Sequence, residues 1–347
     1  MDTDVVIVGG GLSGLALADE FHRTGVDFQL VEARDRFGGR IHTARVDGAA
    51  FDLGPAWFWQ GQPRMAAATK RFGLTVFEQY STGDIVAEDQ NGNVQRGAGF
   101  ASMAGSLRIA GGMTALVDAF AETVPADRLH LGQAVFAISQ TDNGVIVTTD
   151  KLSISANRVI LALPPRVAQT MTFDPALSAD QSRAMGNIPT WMAGHAKYVA
   201  IYDKAYWRDA GLSGDAQSRR GPMVEVHDAS PQSGGPYAAF GFVGFDADTR
   251  AAHRDEMTKM AADQLERLFG ATPRQLILQD WAQEPHTATP ADFTSAGHPA
   301  YGRPRALANI WDGRVIFGSS EMGQSFGGYL EGALEAAQDV GNLLRHG

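Results

Sequence analysis

Lys197 lies in the stretch GHAKYVAIYDKAYW, residues 194–207. In a strand, Lys197, Val199 and Ile201 share one face, while Ala196, Tyr198, Ala200 and Tyr202 share the other. Neither face reads as exposed, so alternation carries an ammonium group into apolar surroundings, at a desolvation cost unless something compensates it. Periodicity leaves two readings level: a strand-end lysine whose amine reaches water, or an amine of lowered pKa positioned for a reaction.

A second chemical signature opens the chain. The apolar run Val5 to Val8 is followed by Gly9, Gly11 and Gly14 in a G-x-G-x-x-G arrangement. The spacing predicts a buried strand, a tight turn at Gly9, and close backbone approach to a pyrophosphate at Gly11. Leu12 and Ser13 then start a helix whose N-terminus faces the anion, and Gly14 lets that helix pack closely. The next strand, Phe28 to Val31, ends at Glu32, whose carboxylate suits the two hydroxyls of a ribose and disfavours a 2′-phosphate. This unit alone leaves NAD and FAD open. Ala33, Arg34, Gly38, Gly39 and Arg40 follow at once, two glycines and two arginines beside the phosphates, and favour a larger, permanently held dinucleotide.

These residues need a scaffold, and composition bounds it. The chain has 347 residues, 44% hydrophobic and 20% charged, with 40 glycines that concentrate at a few turns. That length suits one large α/β unit or two interlocked domains. A net charge of −10 argues against nucleic acid or an anionic membrane as partner. The absence of cysteine excludes disulfides, thiolate metal sites and a thioether-linked cofactor. No metal is expected, because Asp280, Glu284, His286 and Asp292 lack ligand spacing. The polar start MDTDVVIVGG has no signal-peptide character, no run of about twenty apolar residues occurs, and a cytoplasmic protein is the expectation.

The glycine and arginine pattern after Glu32 resembles the flavin-containing amine oxidoreductase family, the group of monoamine oxidases, polyamine oxidases and related L-amino-acid oxidases. Similar motifs follow in order: FDLGPAWFWQGQPRMAAATKRFGL (51–74), RIAGGMTALVDAFAE (108–122), DRLHLGQAVFAISQTDNGVIVTT (127–149) with Asn143-Gly144 as a hairpin turn, RVILALPP (158–165) and RVIFGSSEMGQSFGGYLEGALEAAQDVGNLL (314–344). The resemblance implies non-covalent FAD. Gly54, Pro55, Ala56 and Trp57 would lie against the isoalloxazine, Val135 would offer its backbone to the adenine, and Ser320 and Glu321 would lie near pyrophosphate and ribityl. After strand Val315–Phe317, a helix from near Gly327 would bring Gly328, Tyr329 and Leu330 to the pyrimidine end of the flavin.

The same resemblance places Lys197 on the lysine that reaches flavin N5 through a water, makes Tyr329 one wall of an aromatic cage, and sets Trp281 beside the flavin. Core packing is the other reading of both aromatics. The opposing cage tyrosine has no counterpart near His298 and Pro299, which leaves Tyr301, Phe326 and Trp57 as substitutes. Arg219 and Arg220, with His227, are weaker candidates for holding a substrate carboxylate. Between residues 75 and 107 the chain is shorter than the large amine oxidases. Two short strands, Ile85–Glu88 and Val94–Arg96, replace their helical roof, so a more open mouth or a second subunit is expected there.

The expected architecture is α/β: a Rossmann-like FAD-binding domain of GR2 type (1–78, 106–186 and 293–347) interleaved with a reduced mixed α+β substrate domain (79–105 and 187–292). The implied reaction moves hydride from an amine α-carbon to flavin N5, giving an imine, with O2 reduced to H2O2. The expected partners are a small amine and O2, with a homo-oligomer open. Three alternatives stand beside it: renalase-like oxidation of a reduced nicotinamide, FAD-dependent C–C dehydrogenation, and a non-catalytic flavin-binding redox sensor.

Overall fold

The apolar run Val5–Val8 forms the buried half of strand Asp2–Val8. A computed structural model describes residues 1–97, 99–294 and 297–346. Among these, Asp2–Val8 lies inside an eight-stranded sheet, parallel to Phe28–Val31 on one side and Ser153–Leu161 on the other. Continuous apolar character suits strands covered on both faces. The far half of Ser153–Leu161 also pairs in parallel with Val315–Phe317, and its near half runs antiparallel to Val145–Thr149. The hairpin Val135–Gln140/Val145–Thr149 turns at residues 141–144, where Thr141 N–H donates to the Gly144 carbonyl.

Helices Leu12–Thr24, Thr114–Glu122 and Leu330–His346 cover one face of this sheet through a core that includes Leu15, Phe21, Leu116, Phe120, Leu334 and Val340. Gly14 decides how close the first of them approaches. A Cβ there would sit 1.9 Å from the Gly9 carbonyl oxygen and 3.3 Å from the Ala162 side chain. Gly9 itself has φ +112°, a left-handed conformation that a side chain disfavours.

A seven-stranded sheet forms the second half. Its order is Gln275–Asp280, Ala196–Tyr202, Tyr237–Val243, Met223–Asp228, Leu212–Ser218, Asp84–Glu88, Val94–Arg96. The alternation expected for residues 196–202 holds. Tyr198, Ala200 and Tyr202 pack with Trp207 and with Met257, Ala261 and Leu265 of helix Arg254–Phe269, while Val199 and Ile201 pack with Phe51, Leu53 and Ala56. The two short strands expected before residue 107 form, as Asp84–Glu88 and Val94–Arg96, and lie at the edge of this sheet. Among the described residues of 79–105 no helix occurs.

Polar staples join segments flanking the two sheets. Arg108, buried and beside the Phe77 ring, donates to the carbonyls of Ser230 (2.8 Å) and Ala229 (3.0 Å). Arg34 reaches Glu284 (3.1 Å) and the Thr287 hydroxyl (2.9 Å). Such bonds satisfy buried donors that the connecting segments would otherwise leave unpaired.

The glycine geometry generates a contrast that urea unfolding can measure. Gly14→Ala meets backbone and should cost about 2 kcal/mol or more. Gly25→Ala, at φ +76° with no atom within 4 Å, should cost only the left-handed backbone term of about 1 kcal/mol. Equal losses at both sites would contradict the close packing at Gly14.

Candidate functional site

Lys197 is buried, and its Nζ donates to the main-chain carbonyls of Asp52 and Gly54, both at 2.9 Å. The Phe240 ring lies beneath it, with its centroid 3.8 Å from Nζ. A neutral amine has two N–H groups, so both are spent on the carbonyls and the lone pair remains; an ammonium has a third, which the ring face can accept. Burial pulls the amine down to about 7; the Asp52 carboxylate opposes that shift and Arg108 adds to it. Asp52 is itself buried, accepts from Thr43 Oγ1 (2.7 Å) and Met113 N–H (2.8 Å), and has its pKa raised by desolvation. The amine is therefore poised between its two forms near neutrality.

The turn that Lys197 grips is held from other sides as well. Trp281 Nε1 donates to the Leu53 carbonyl at 3.2 Å. Trp57 Nε1 donates to Gln79 at 2.8 Å, and the Trp57 ring meets His227 edge-on at 5.0 Å and Phe240 at 5.1 Å. A Cβ on Gly54 would fall 2.0 Å from the Arg40 carbonyl, so this turn lies directly on the segment after the second strand.

One cavity of about 1340 Å³ is lined by Arg40, Leu53, Gly54, Trp57, Lys197 and Trp281 among these residues, a volume above the roughly 300–1,000 Å³ of a pocket for a drug-sized molecule. Of the residues expected to hold a dinucleotide, Gly9, Gly11, Leu12, Ser13, Glu32, Ala33, Arg34, Gly39, Arg40, Gly54, Pro55, Ala56, Trp57, Val135, Ser320, Gly328, Tyr329 and Leu330 line it, as do Lys197 and Trp281. Two do not. Gly14 faces Gly9 and Ala162, and its part is the helix packing described above. Glu321 is fully buried behind Arg40, whose Nη1 is 2.8 Å from its carboxylate. It therefore acts on the cavity only through the arginine.

The lining fits FAD on three structural counts. Helix Leu12–Thr24 has no side-chain cap and no acidic residue in its first turn, so its N-terminal N–H groups and positive dipole end remain for an anion. Ser319 lines the cavity with a buried hydroxyl that has no hydrogen-bond partner among the described residues. Glu32 is buried, and its oxygens accept Gly10 N–H (2.7 Å) and Arg34 N–H (2.9 Å), which fixes the carboxylate while leaving lone pairs free.

The aromatic surroundings of Tyr329 depart from expectation. Trp59 meets its ring edge-on at 6.2 Å, Trp191 lies at 6.5 Å, and His298 stacks on it at 4.8 Å and 27°. Trp59 and Trp191 line the cavity, whereas Tyr301 turns its hydroxyl to the Pro189 carbonyl (2.8 Å) and Phe326 lies outside the lining. His298 Nε2 donates to the Gly327 carbonyl at 2.9 Å, which engages the imidazole in holding the turn before the last helix. That helix begins at Leu330 rather than near Gly327, with the Tyr329 carbonyl accepting its first bond from Ala333. Trp59 had a sequence signal, two positions beyond Trp57 in the same motif; Trp191, in a loop without periodicity, had none.

Arg219 and Arg220 are exposed and lie outside the cavity lining, with Arg220 bonded to the Asn91 carbonyl at 2.9 Å. His227 is buried, 2.6 Å from Asp215 and 3.1 Å from Glu225, and Glu225 lines the cavity. This side of the site is acidic, not basic.

Comparison with known proteins agrees with this geometry. The profile of an NAD(P)-binding Rossmann-like domain matches residues 7–72. A probable flavin-containing monoamine oxidase A of Dictyostelium discoideum is 22% identical, with 99% of this chain and 97% of that protein covered. Its alignment runs over 452 positions against 347 residues here, so it carries insertions that this chain lacks. A putrescine oxidase of Kocuria rosea is 23% identical, covering 100% of this chain and 87% of its own. In fold, the chain is similar to a solved putrescine oxidase bound to putrescine (TM-score 0.84, 21% identity) and to cyclohexylamine oxidase from Brevibacterium oxydans IH-35A (TM-score 0.83, 20% identity), each with 99% of both chains covered. No helix among the described residues is long and apolar enough to cross a membrane. The profile of the flavin containing amine oxidoreductases matches residues 86–341, most of the chain, and the protein belongs to that family.

Proposed function

We propose that this protein is an FAD-dependent amine oxidase that acts on a small amine. The observation that carries the reading is the amine of Lys197: buried, lining the cavity, and held by two carbonyls of the turn that bears Gly54 to Trp57. When bound, FAD supplies a hydride acceptor at N5 for the amine α-carbon, and dioxygen takes the electron pair as hydrogen peroxide while the imine hydrolyses to an aldehyde or ketone. The relatives named above are all amine oxidases, and no observation favours nicotinamide oxidation, C–C dehydrogenation or a sensor without turnover.

The chain's own residues divide the work. Gly11, Leu12 and Ser13 would bring backbone N–H groups and the helix dipole to the pyrophosphate, with Gly9 making the tight turn, its own N–H given to the Val31 carbonyl, and Arg40 set by Glu321. Glu32 would take ribose hydroxyls, Ala33, Arg34 and Gly39 would complete that wall, and Val135 would offer its backbone to the adenine. Gly54, Pro55, Ala56 and Trp57 would lie against the isoalloxazine, Ser320 near the pyrophosphate and ribityl, and Gly328, Tyr329 and Leu330 towards the pyrimidine end of the flavin. Tyr329, Trp59 and Trp191 shape an aromatic wall that orients the substrate and excludes water. With both N–H groups held, the Lys197 lone pair takes a proton at Nζ, from a water or from an incoming ammonium. Trp281 keeps the gripped turn in place through Leu53. On this reading the FAD domain comprises 1–78, 106–186 and 293–347, and the substrate domain comprises 79–105 and 187–292.

The direct test is the visible spectrum of the FAD-loaded protein titrated with amines without oxygen, followed by a peroxide assay in air. A protein that shows no flavin spectrum after reconstitution, or whose flavin no amine reduces, refutes the proposal. Lys197→Met should lower turnover or the rate of reoxidation about tenfold or more while FAD is retained; loss of FAD with unchanged turnover per bound flavin would assign the lysine a purely structural part.

A second prediction concerns stability. The unfolded chain keeps Lys197 protonated up to its ordinary value of 10.5, whereas the folded chain releases the proton near 7. Between these values the unfolded state binds more protons, so folding stability rises with pH through this window. The melting temperature of the wild type, measured relative to Lys197→Met, should climb from pH 7 towards pH 10. A difference flat across that range would show that the amine titrates normally.

A further inference from the structure

The end of the cavity assigned to adenosine is walled by segments of unequal strength. Val31 and Val135 line it from strands of the eight-stranded sheet. Beside Arg34, Pro285, His286 and Thr287 line it from the segment that follows strand Gln275–Asp280 and belongs to neither sheet. Pro285 and His286 are exposed although they line the cavity, which puts this segment at its boundary with solvent.

The segment is anchored at both ends and held at one point between them. At its start, Asp280 accepts two bonds from Arg250 (2.7 and 2.8 Å), and Trp281 N–H donates to the His195 carbonyl at 3.0 Å. At its end, Asp292 accepts from Arg166 (2.5 Å), from Thr190 N–H (3.0 Å), and from the N–H and hydroxyl of Thr289 (3.0 and 2.9 Å). Between these anchors, Thr287 N–H and Ala288 N–H both donate to the Glu284 carbonyl at 2.9 Å, bonds internal to the segment that move with it. Among the described residues, the hydrogen bonds that tie 284–288 to the nucleotide-binding half come from Arg34. Its Nη2 donates to Glu284 Oε2 at 3.1 Å and to the Thr287 hydroxyl at 2.9 Å.

A folded chain must open somewhere to admit a dinucleotide, and this one has no cysteine to tie it through sulfur. Parting strands such as Val135–Gln140 and Val145–Thr149 breaks several ladder bonds together. Lifting 284–288 breaks two bonds of one guanidinium and uncovers two small buried residues, Thr287 and Ala288. Nor does that motion strand the guanidinium. Arg34 Nη1 lies 3.9 Å from Glu32 Oε1, so the cation keeps a carboxylate partner when Glu284 departs. An opening that leaves no buried charge alone costs less than one that does.

We propose that residues 284–288 form a strap that gates the entry and release of FAD, with Arg34 as its latch. This assignment rests on the FAD-dependent reading above and adds to it a route for the cofactor.

The test follows flavin fluorescence as FAD leaves the loaded full chain on dilution and as it enters the FAD-free chain. Glu284 does not line the cavity, so substituting it weakens the latch without removing a contact to the cofactor. In Glu284→Ala both rates should rise together about tenfold, as expected for loss of a charge-assisted hydrogen bond. The Kd for FAD and the turnover per bound flavin should stay nearly unchanged. Glu284→Gln, which keeps an acceptor, should show a smaller rise in both rates. Faster release with unchanged uptake would mean that Glu284 stabilises the bound state, and that result overturns the gate, as do two unchanged rates. Amine oxidation with unaltered exchange leaves the oxidase reading standing and refutes the strap. Faster exchange in Glu284→Ala without oxidation of any amine leaves the strap standing and refutes the activity. A chain that takes up no FAD refutes both.

Discussion

An amine taken out of water must find acceptors for its hydrogens or give up its proton. In this protein the Lys197 amine finds two main-chain carbonyls, Asp52 and Gly54, on the turn that leads from one sheet towards the other. The cavity geometry depends on that grip. The lysine comes from the seven-stranded sheet, whereas the carbonyls belong to the segment packed on the nucleotide-binding half, so each bond spans the division. Trp281 to Leu53 and Trp57 to Gln79 repeat the arrangement with indole donors. The turn is thus fixed by side chains that sequence places far away, and its residues line the cavity without the latitude of a free loop.

The same desolvation that makes Lys197 costly makes it useful. Two held N–H groups orient the lone pair, Phe240 beneath accepts a cation, and Arg108 nearby disfavours one, so small changes around the amine shift the balance of its forms. Asp52 and Arg108 are buried in turn and satisfied mostly by backbone or hydroxyl partners. A network of this type stays balanced only while each polar atom keeps its partner. This explains why glycine occupies position 54, where any side chain would collide with the Arg40 carbonyl.

Much of the nucleotide-binding half was legible because its signals are local. Strands Phe28–Val31 and Val315–Phe317 form at the expected residues, since each is a short, largely apolar run bounded by turn residues. The face assignment of Ala196–Tyr202 followed from period two alone. The helix start near Gly327 was misplaced by three residues, because Gly328 at φ +82° and the bond its N–H donates to the Ser320 carbonyl keep the chain in a turn until Leu330. The Tyr329 surroundings were misassigned for a different reason: Trp191 and Trp59 approach it from separate segments, and nothing in their local sequence states a partner.

By itself the sequence determined the dinucleotide-binding unit, the family and the two-sided burial of the Lys197 strand. Those depend on glycine spacing, apolar periodicity and motif order, which are properties of neighbouring residues. Only the tertiary structure decided what Lys197 holds, that Glu321 acts through Arg40, and that Glu225 stands in the same row as the lysine. Those follow from strand register and from the packing of one half against the other. Pairings such as Lys197 with Phe242 and Phe242 with Glu225 join residues whose separation along the chain leaves no local trace.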